Sequence, residues 1–236
     1  EDGAALLAND PHLGLQIPSP WYVIHAKGHS LDISGMSLVG LPFVIFGRND
    51  AISWGGTNMM ADTQDLFFEK TDPQNATHYE MNGQWANFDE RVETLRIRPE
   101  HPERLHQQYE PIKVLIRSTR NGPVVSDQFQ VFDRPVSLRW TALEPGDTSY
   151  EAFYRIQFSK DWAEFCEALR YHVAPALSMV YADRAGNIGY SGAGRIPIRT
   201  TGLGLLPSPG WNDESQWAGY IPATELPRIY NPESGY

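Results

Sequence analysis

The 236 residues are 41% hydrophobic and 20% charged, and no apolar run approaches the length of a membrane-spanning helix. This is the profile of a globular chain of one or two domains, long enough to bury a sizeable core. A net charge of -10 without a lysine or arginine cluster argues against nucleic acid or an anionic membrane as partner, and favours a small or neutral substrate.

The predicted elements are mostly strands. In chain order, "WYVIHAKG", "FVIFG", "DLFFEK", "VLIRS", "VSLRWTAL" and "SMVYAD" are short, rich in β-branched and aromatic residues, and separated by Gly, Pro and Asn. "HYEMNGQWANF" predicts a hairpin, because Asn82-Gly83 suits a type I′ turn in which both central residues need positive φ. A second hairpin is expected in "YADRAGNIGYSG", turning through Asp183, Gly186 and Asn187. One helix is expected in "SKDWAEFCEALRYHV": Trp162, Phe165, Leu169 and Val173 share a face, with Arg170 and His172 in the last turn. Otherwise helix is scarce, and from Ile196 to Tyr236 the chain reads as a proline-rich loop. Glu1 begins near a strand-like segment without an initiator methionine, so a processed or truncated product is expected.

Several residues invite chemistry. His12 follows Asn9, Asp10 and Pro11, a stiff setting that suits either a positioned proton-transfer group or an ordinary strand-to-turn junction. His12, His25 and His29 invite a zinc site, but on one strand His25 and His29 would stand about 13 Å apart unless Gly28 turns the chain back. Cys166, the single cysteine, excludes an intrachain disulfide; it borders the apolar helix face, away from His172, and reads as a buried structural residue. In "WGGTNMMADTQDLF", Gly55 and Gly56 permit close approach of a ligand to the backbone, and Asp62 and Asp65 offer hard oxygens.

Taken together, "LLANDPHLGLQIPSPWY", "GLPFVIFGRNDAISWGGTNMMADTQDLFFEK", "RNGPVVS", "LRWTAL", "MVYADRAGNIGY" and "YNPESGY" resemble the penicillin acylase family of N-terminal nucleophile hydrolases, in family order over essentially the whole chain. The resemblance implies an α+β fold, an αββα sandwich of antiparallel sheets present in part, with residues of about 72–135 as a β-rich insertion. It implies hydrolysis of an amide to an acyl group, as in a β-lactam antibiotic, an acyl-homoserine lactone or a lipopeptide. An N-terminal serine would supply the hydroxyl nucleophile and, through its α-amine, the base.

Residue by residue, the resemblance places His12 beside that nucleophile, to orient its amine or hydroxyl, and makes the backbone N–H of Asn58 an oxyanion donor. Phe46 and Trp140 match aromatic positions lining the acyl pocket, with Leu13 where some members carry phenylalanine. Asp62, the carbonyl of Gln64, Asp65 and Pro197 match part of a structural calcium shell, and no organic cofactor is implied. The serine and a further oxyanion asparagine are expected outside these residues. The chain thus reads as the middle of a β subunit, inactive by itself, with the α subunit and remaining β-subunit segments of one precursor as partners and a periplasmic or secreted location. Its outer strands would present unpaired sheet edges. Two other classes compete: a β-rich binding module, which would display Trp85, Trp211 and Trp217 on one exposed face, and a metal-dependent hydrolase built on the three histidines.

Overall fold

The aromatic and β-branched run at Trp21 forms the expected strand, β1 (Trp21–Lys27), and Gly28 does turn the chain: its N–H meets the carbonyl of Leu31 at 2.7 Å. β2 (Asp32–Leu38) returns antiparallel, from Lys27↔Asp32 to Trp21↔Leu38. β3 (Phe46–Arg48) and β4 (Ile52–Asn58) follow. The computed structural model describes residues 4–11, 13–14, 16–98, 109–129 and 131–236. They fall into two compact units, Glu1–Thr63 with Glu144–Ile198 and Gly219–Tyr236, and Gln64–Leu143 with Arg199–Ala218.

After β4 the chain enters the second unit. There it forms β5 (Gln64–Phe68), β6 (Thr71–Asp72), β7 (Asn75–Met81), β8 (Gln84–Asn87), β9 (Asp89–Leu95), β10 (Ile112–Thr119), β11 (Gly122–Pro123) and β12 (Val136–Trp140). It returns to the first unit through α1 (Ser149–Ile156) and α2 (Trp162–Leu169), then β13 (Leu177–Asp183) and β14 (Ile188–Ala193). The expected loop from Ile196 onward instead carries four short strands: β15 (Pro197–Arg199), β16 (Ser208–Pro209), β17 (Trp217–Tyr220) and β18 (Arg228–Tyr230). They are two to four residues long, too short for a periodic pattern to reveal them.

In the first unit the strands form one seven-stranded sheet, ordered β1-β2-β3-β4-β13-β14-β18, and every neighbouring pair is antiparallel. Ile33, Phe46, Ile52, Trp54, Met179 and Tyr181 from this sheet pack with Ile156, Phe165 and Leu169 from the two helices. The second unit holds three-stranded sheets in the orders β11-β10-β9, β12-β5-β16 and β6-β7-β8. Its short β16 lies parallel to β5, a local exception to the antiparallel expectation. Tyr79, Phe88 and Val124 form its apolar cluster. Sheets plus two helices make the fold α+β, as expected.

Both predicted hairpins form. Asn82 and Gly83 take φ of 52° and 77°, the positive values that a type I′ turn requires. The Asp183 carboxylate organises the other turn: Oδ1 accepts the N–H groups of Ala185 and Asn187, and Oδ2 accepts the Asn187 amide.

Four expectations need correction. The strand predicted across "FVIFG" exists only from Phe46, although Phe43, Val44 and Ile45 are buried. Ile45 still donates its N–H to the Met36 carbonyl of β2 (2.8 Å), but side chains serve the two residues before it: Gln157 accepts from Val44 N–H (3.0 Å) and donates to its carbonyl (2.9 Å), while Ser37 Oγ donates to the Phe43 carbonyl (2.6 Å). The strand in "VSLRWTAL" stops at Trp140, and Thr141–Leu143 form a 3₁₀ turn. The expected helix ends at Leu169, so Val173 and His172 lie in the loop beyond it. Finally, α1 was not expected; Ala152 and Ile156, four residues apart, are its buried positions, too few to set a helical period.

Candidate functional site

The site is built along one edge of β4. Met59 donates its N–H to the carbonyl of Ala176 at 3.0 Å, and Asn58 pairs with Leu177. Backbone groups of an antiparallel strand alternate between its two edges, so Thr57 and Gly55 address β13, while Trp54, Gly56 and Asn58 address the other side. β3 covers that other edge only as far as Trp54. Beyond it, Oδ1 of Asn9 accepts the N–H of Gly56 at 2.8 Å, and the N–H of Asn58 points out along the same edge.

This explains the glycine pair. A Cβ on Gly55 would lie 2.7 Å from Asn9 Oδ1, and one on Gly56 would lie 2.6 Å from the Phe46 ring and 2.7 Å from Met179 Sδ. The groups approaching closely are the protein's own side chains. Asn9 was missed as a site residue; the signal was present, since a short amide before Asp-Pro is suited to binding backbone. His12, three residues on, lies outside the described residues.

Facing this edge is a pocket of about 500 Å³ within the first unit. Leu13, Phe46 and Asn58, three of the residues singled out from the sequence, all line it. Trp21, Phe43, Tyr150, Phe153 and Leu177 contribute further walls, and none of the described lining residues is charged. The aromatic rings brace one another: Phe43 packs edge-on to Tyr150 (4.8 Å between centroids) and stacks with Phe153 (6.2 Å), and Trp21 leans on Phe46 (5.8 Å). Such a cavity suits an uncharged hydrocarbon group, with backbone donors at β4 for a polar end.

Trp140 belongs to the second unit, at the end of β12, and is not among the residues lining this pocket. The oxygen donors divide as well: Asp62 and Pro197 belong to the first unit, Gln64 and Asp65 to the second. They fit calcium in kind, since all offer hard oxygen. Asp65 is nonetheless already engaged: its buried carboxylate accepts Arg199 Nε at 2.9 Å and the Trp217 indole N–H at 2.5 Å through Oδ2. A guanidinium thus balances its charge inside the unit.

The remaining candidates have local work. His25 Nε2 meets Asp32 Oδ1 at 2.7 Å, and Lys27 together with His25 holds the Asp32 carboxyl down to about 2. Cys166 is buried, and burial pushes its thiol up, against a smaller opposing effect of Arg228, away from the thiolate a nucleophile needs. Trp217 is buried while Trp85 is exposed, so these tryptophans do not make one exposed platform. Trp211 carries Lys70 Nζ 4.1 Å above its ring.

Comparison with known proteins gives one answer. The family model described as penicillin amidase matches residues 1–236. Acyl-homoserine lactone acylase QuiP of Pseudomonas aeruginosa is 32% identical over 247 residues, covering 99% of this chain and 28% of that protein. Penicillin G acylase of Escherichia coli is 30% identical over 237 residues, covering 100% of this chain and 27% of that protein. Among solved structures, a thermostable penicillin G acylase from Alcaligenes faecalis superposes with a TM-score of 0.79 at 26% identity, over 95% of this chain and 39% of that one. The chain therefore spans well under half the length of these relatives.

Proposed function

The chain belongs to the penicillin amidase family, and on that premise we propose that it supplies the acyl pocket and one oxyanion donor of an N-terminal serine amidohydrolase. The observation that carries this reading is the convergence of Leu13, Phe46 and Asn58 on one uncharged pocket beside a stretch of strand edge that β3 does not cover. An amide substrate would place its acyl group among Leu13, Phe46 and Leu177 and its carbonyl oxygen near the N–H of Asn58.

The serine, carried outside residues 1–236, attacks the carbonyl carbon while its α-amine takes the hydroxyl proton. Negative charge then grows on the carbonyl oxygen, and the Asn58 N–H donates to it; losing one such donor typically costs about 100- to 1000-fold in rate. Because the donor is main chain, the side chain at 58 is free to vary. His12 orients the serine's amine or hydroxyl. The α-ammonium so formed gives its proton to the substrate's nitrogen, the substrate's amine leaves as the C–N bond breaks, and water hydrolyses the acyl-serine to free acid and serine. The leaving group is the amine part of a β-lactam antibiotic, an acyl-homoserine lactone or a lipopeptide. The two similar acylases are named for two of these substrate classes.

Calcium enters as a weak ligand of this chain. Asp62, Asp65 and the carbonyls of Gln64 and Pro197 would hold it, and it would order the backbone without taking part in the reaction. The shell needs further groups from outside residues 1–236, and Arg199 already balances Asp65, so calorimetric titration of residues 1–236 is expected to show weak binding; tight binding would contradict the partial shell.

The direct test of the catalytic assignment uses the full-length protein that contains this chain and a chromogenic acyl-anilide. Wild type is expected to turn it over, and His12→Ala to lower acylation by about 10²–10⁴-fold with folding retained. Wild-type turnover in folded His12→Ala would return His12 to an ordinary junction residue.

A further inference from the structure

One wall of the pocket is the loop leading into β13, whose shape depends on a histidine outside the catalytic assignment. His172 is 4% exposed, and its Nε2 lies 2.6 Å from the carbonyl oxygen of Pro175. A carbonyl can only accept, so the proton is on Nε2, and Nδ1 is the bare nitrogen. That Nδ1 is buried and has no hydrogen-bond partner among the described residues. The ring stands edge-on to Phe153, with centroids 5.5 Å apart, and Phe153 in turn stacks with Phe43.

Every group that His172 touches in this way belongs to the pocket: Pro175, Phe153 and, one ring further, Phe43. The segment between His172 and Pro175 is held from its other side by Ser149 at the start of α1. The Ser149 hydroxyl accepts the N–H groups of Val173 (2.9 Å) and Ala174 (3.1 Å). Among the described residues the loop is thus fastened by a hydroxyl on its backbone donors, by the Arg195 N–H on the Val173 carbonyl (2.8 Å) and by an imidazole on its terminal carbonyl.

We propose that His172 is a positioning residue for acyl recognition: its Nε2–H closes the 172–175 loop, so that Pro175, beside Phe153, forms a fixed wall against the acyl chain. The inference rests on the pocket being the acyl site and adds to it a determinant of acyl specificity that never touches substrate. It makes a distinction a general packing role would not make. Loss of the N–H should weaken binding of acyl groups long enough to reach the wall and leave short ones alone.

The test uses the full-length protein and measures kcat and KM for decanoyl and acetyl anilides. His172→Phe keeps a ring against Phe153 but cannot donate; KM for the decanoyl substrate is expected to rise about tenfold, with kcat and both acetyl constants within about twofold of wild type. His172→Gln, which restores an N–H donor, is expected to return the decanoyl KM to within about twofold. An unchanged decanoyl KM in His172→Phe overturns the inference, as does His172→Gln being as impaired as His172→Phe. Should His172→Phe not fold, Ser149→Ala releases another fastener of the same loop and is expected to raise the same KM; an unchanged KM there overturns the inference equally. If wild type itself does not prefer decanoyl to acetyl, the acyl-pocket reading falls first and takes this inference with it.

Discussion

Asn9 and His172 show how single polar side chains shape an otherwise apolar cavity. Asn9 substitutes for a missing strand, accepting the Gly56 N–H, which lies beyond the reach of β3. His172 does so for a loop, and its environment has a consequence for pH. Burial pushes its pKa below the ordinary histidine value, against smaller opposing effects of the Pro175 carbonyl and the Asp147 carboxylate. The unfolded chain therefore takes up this proton at a higher pH than the folded one, so the contribution to stability is present above about pH 6.5 and is lost as pH falls below it. A single such group gives a slope of about 1.4 kcal/mol per pH unit between its two pKa values. Denaturant unfolding from pH 7 down to pH 5 is expected to show a steeper loss of stability for wild type than for His172→Gln; parallel curves would mean that the imidazole takes up its proton as readily folded as unfolded.

At the level of elements, α2 was legible because its signals are local. Asp161 accepts the N–H of Glu164 at 2.9 Å, and the Glu164 carboxylate accepts the N–H of Lys160 at 2.9 Å, before an apolar face that buries Phe165 and Leu169. Asp161→Ala is expected to cost about 1 kcal/mol, read as a lower denaturation midpoint with an unchanged m-value. An equal midpoint would show that packing alone holds the helix start. The two hairpins were legible for the same reason, since their turns are written in adjacent residues. The run Phe43–Ile45 was not. Its apolar character announced burial correctly, but the backbone of Phe43 and Val44 is met by the side chains of Ser37 and Gln157, the latter more than a hundred residues away. No window of local sequence contains that bond. The same holds for the site: a motif could nominate Leu13, Phe46 and Asn58, but that they share a cavity while Trp140 stands in the other unit is a fact of topology.

On the scale of the whole molecule, the first unit combines a seven-stranded antiparallel sheet with two helices. The edge of its central strand, left open where β3 ends, borders an uncharged pocket. Within the second unit, Asp65 pairs with Arg199, and the buried Glu69 collects the hydroxyls of Thr119 and Ser137 and the amide of Asn121 on one oxygen. The chemistry proposed for the full-length protein therefore draws on the first unit for the acyl group. If that pocket receives a hydrocarbon chain, each methylene moved from water into it contributes about 0.8 kcal/mol to transition-state binding. The central measurement is kcat/KM of the full-length protein across a series of straight-chain acyl anilides from acetyl to decanoyl. The account predicts a rise of about fourfold per added methylene until the cavity is filled. A flat or falling series, or a preference for a charged acyl group, would contradict it.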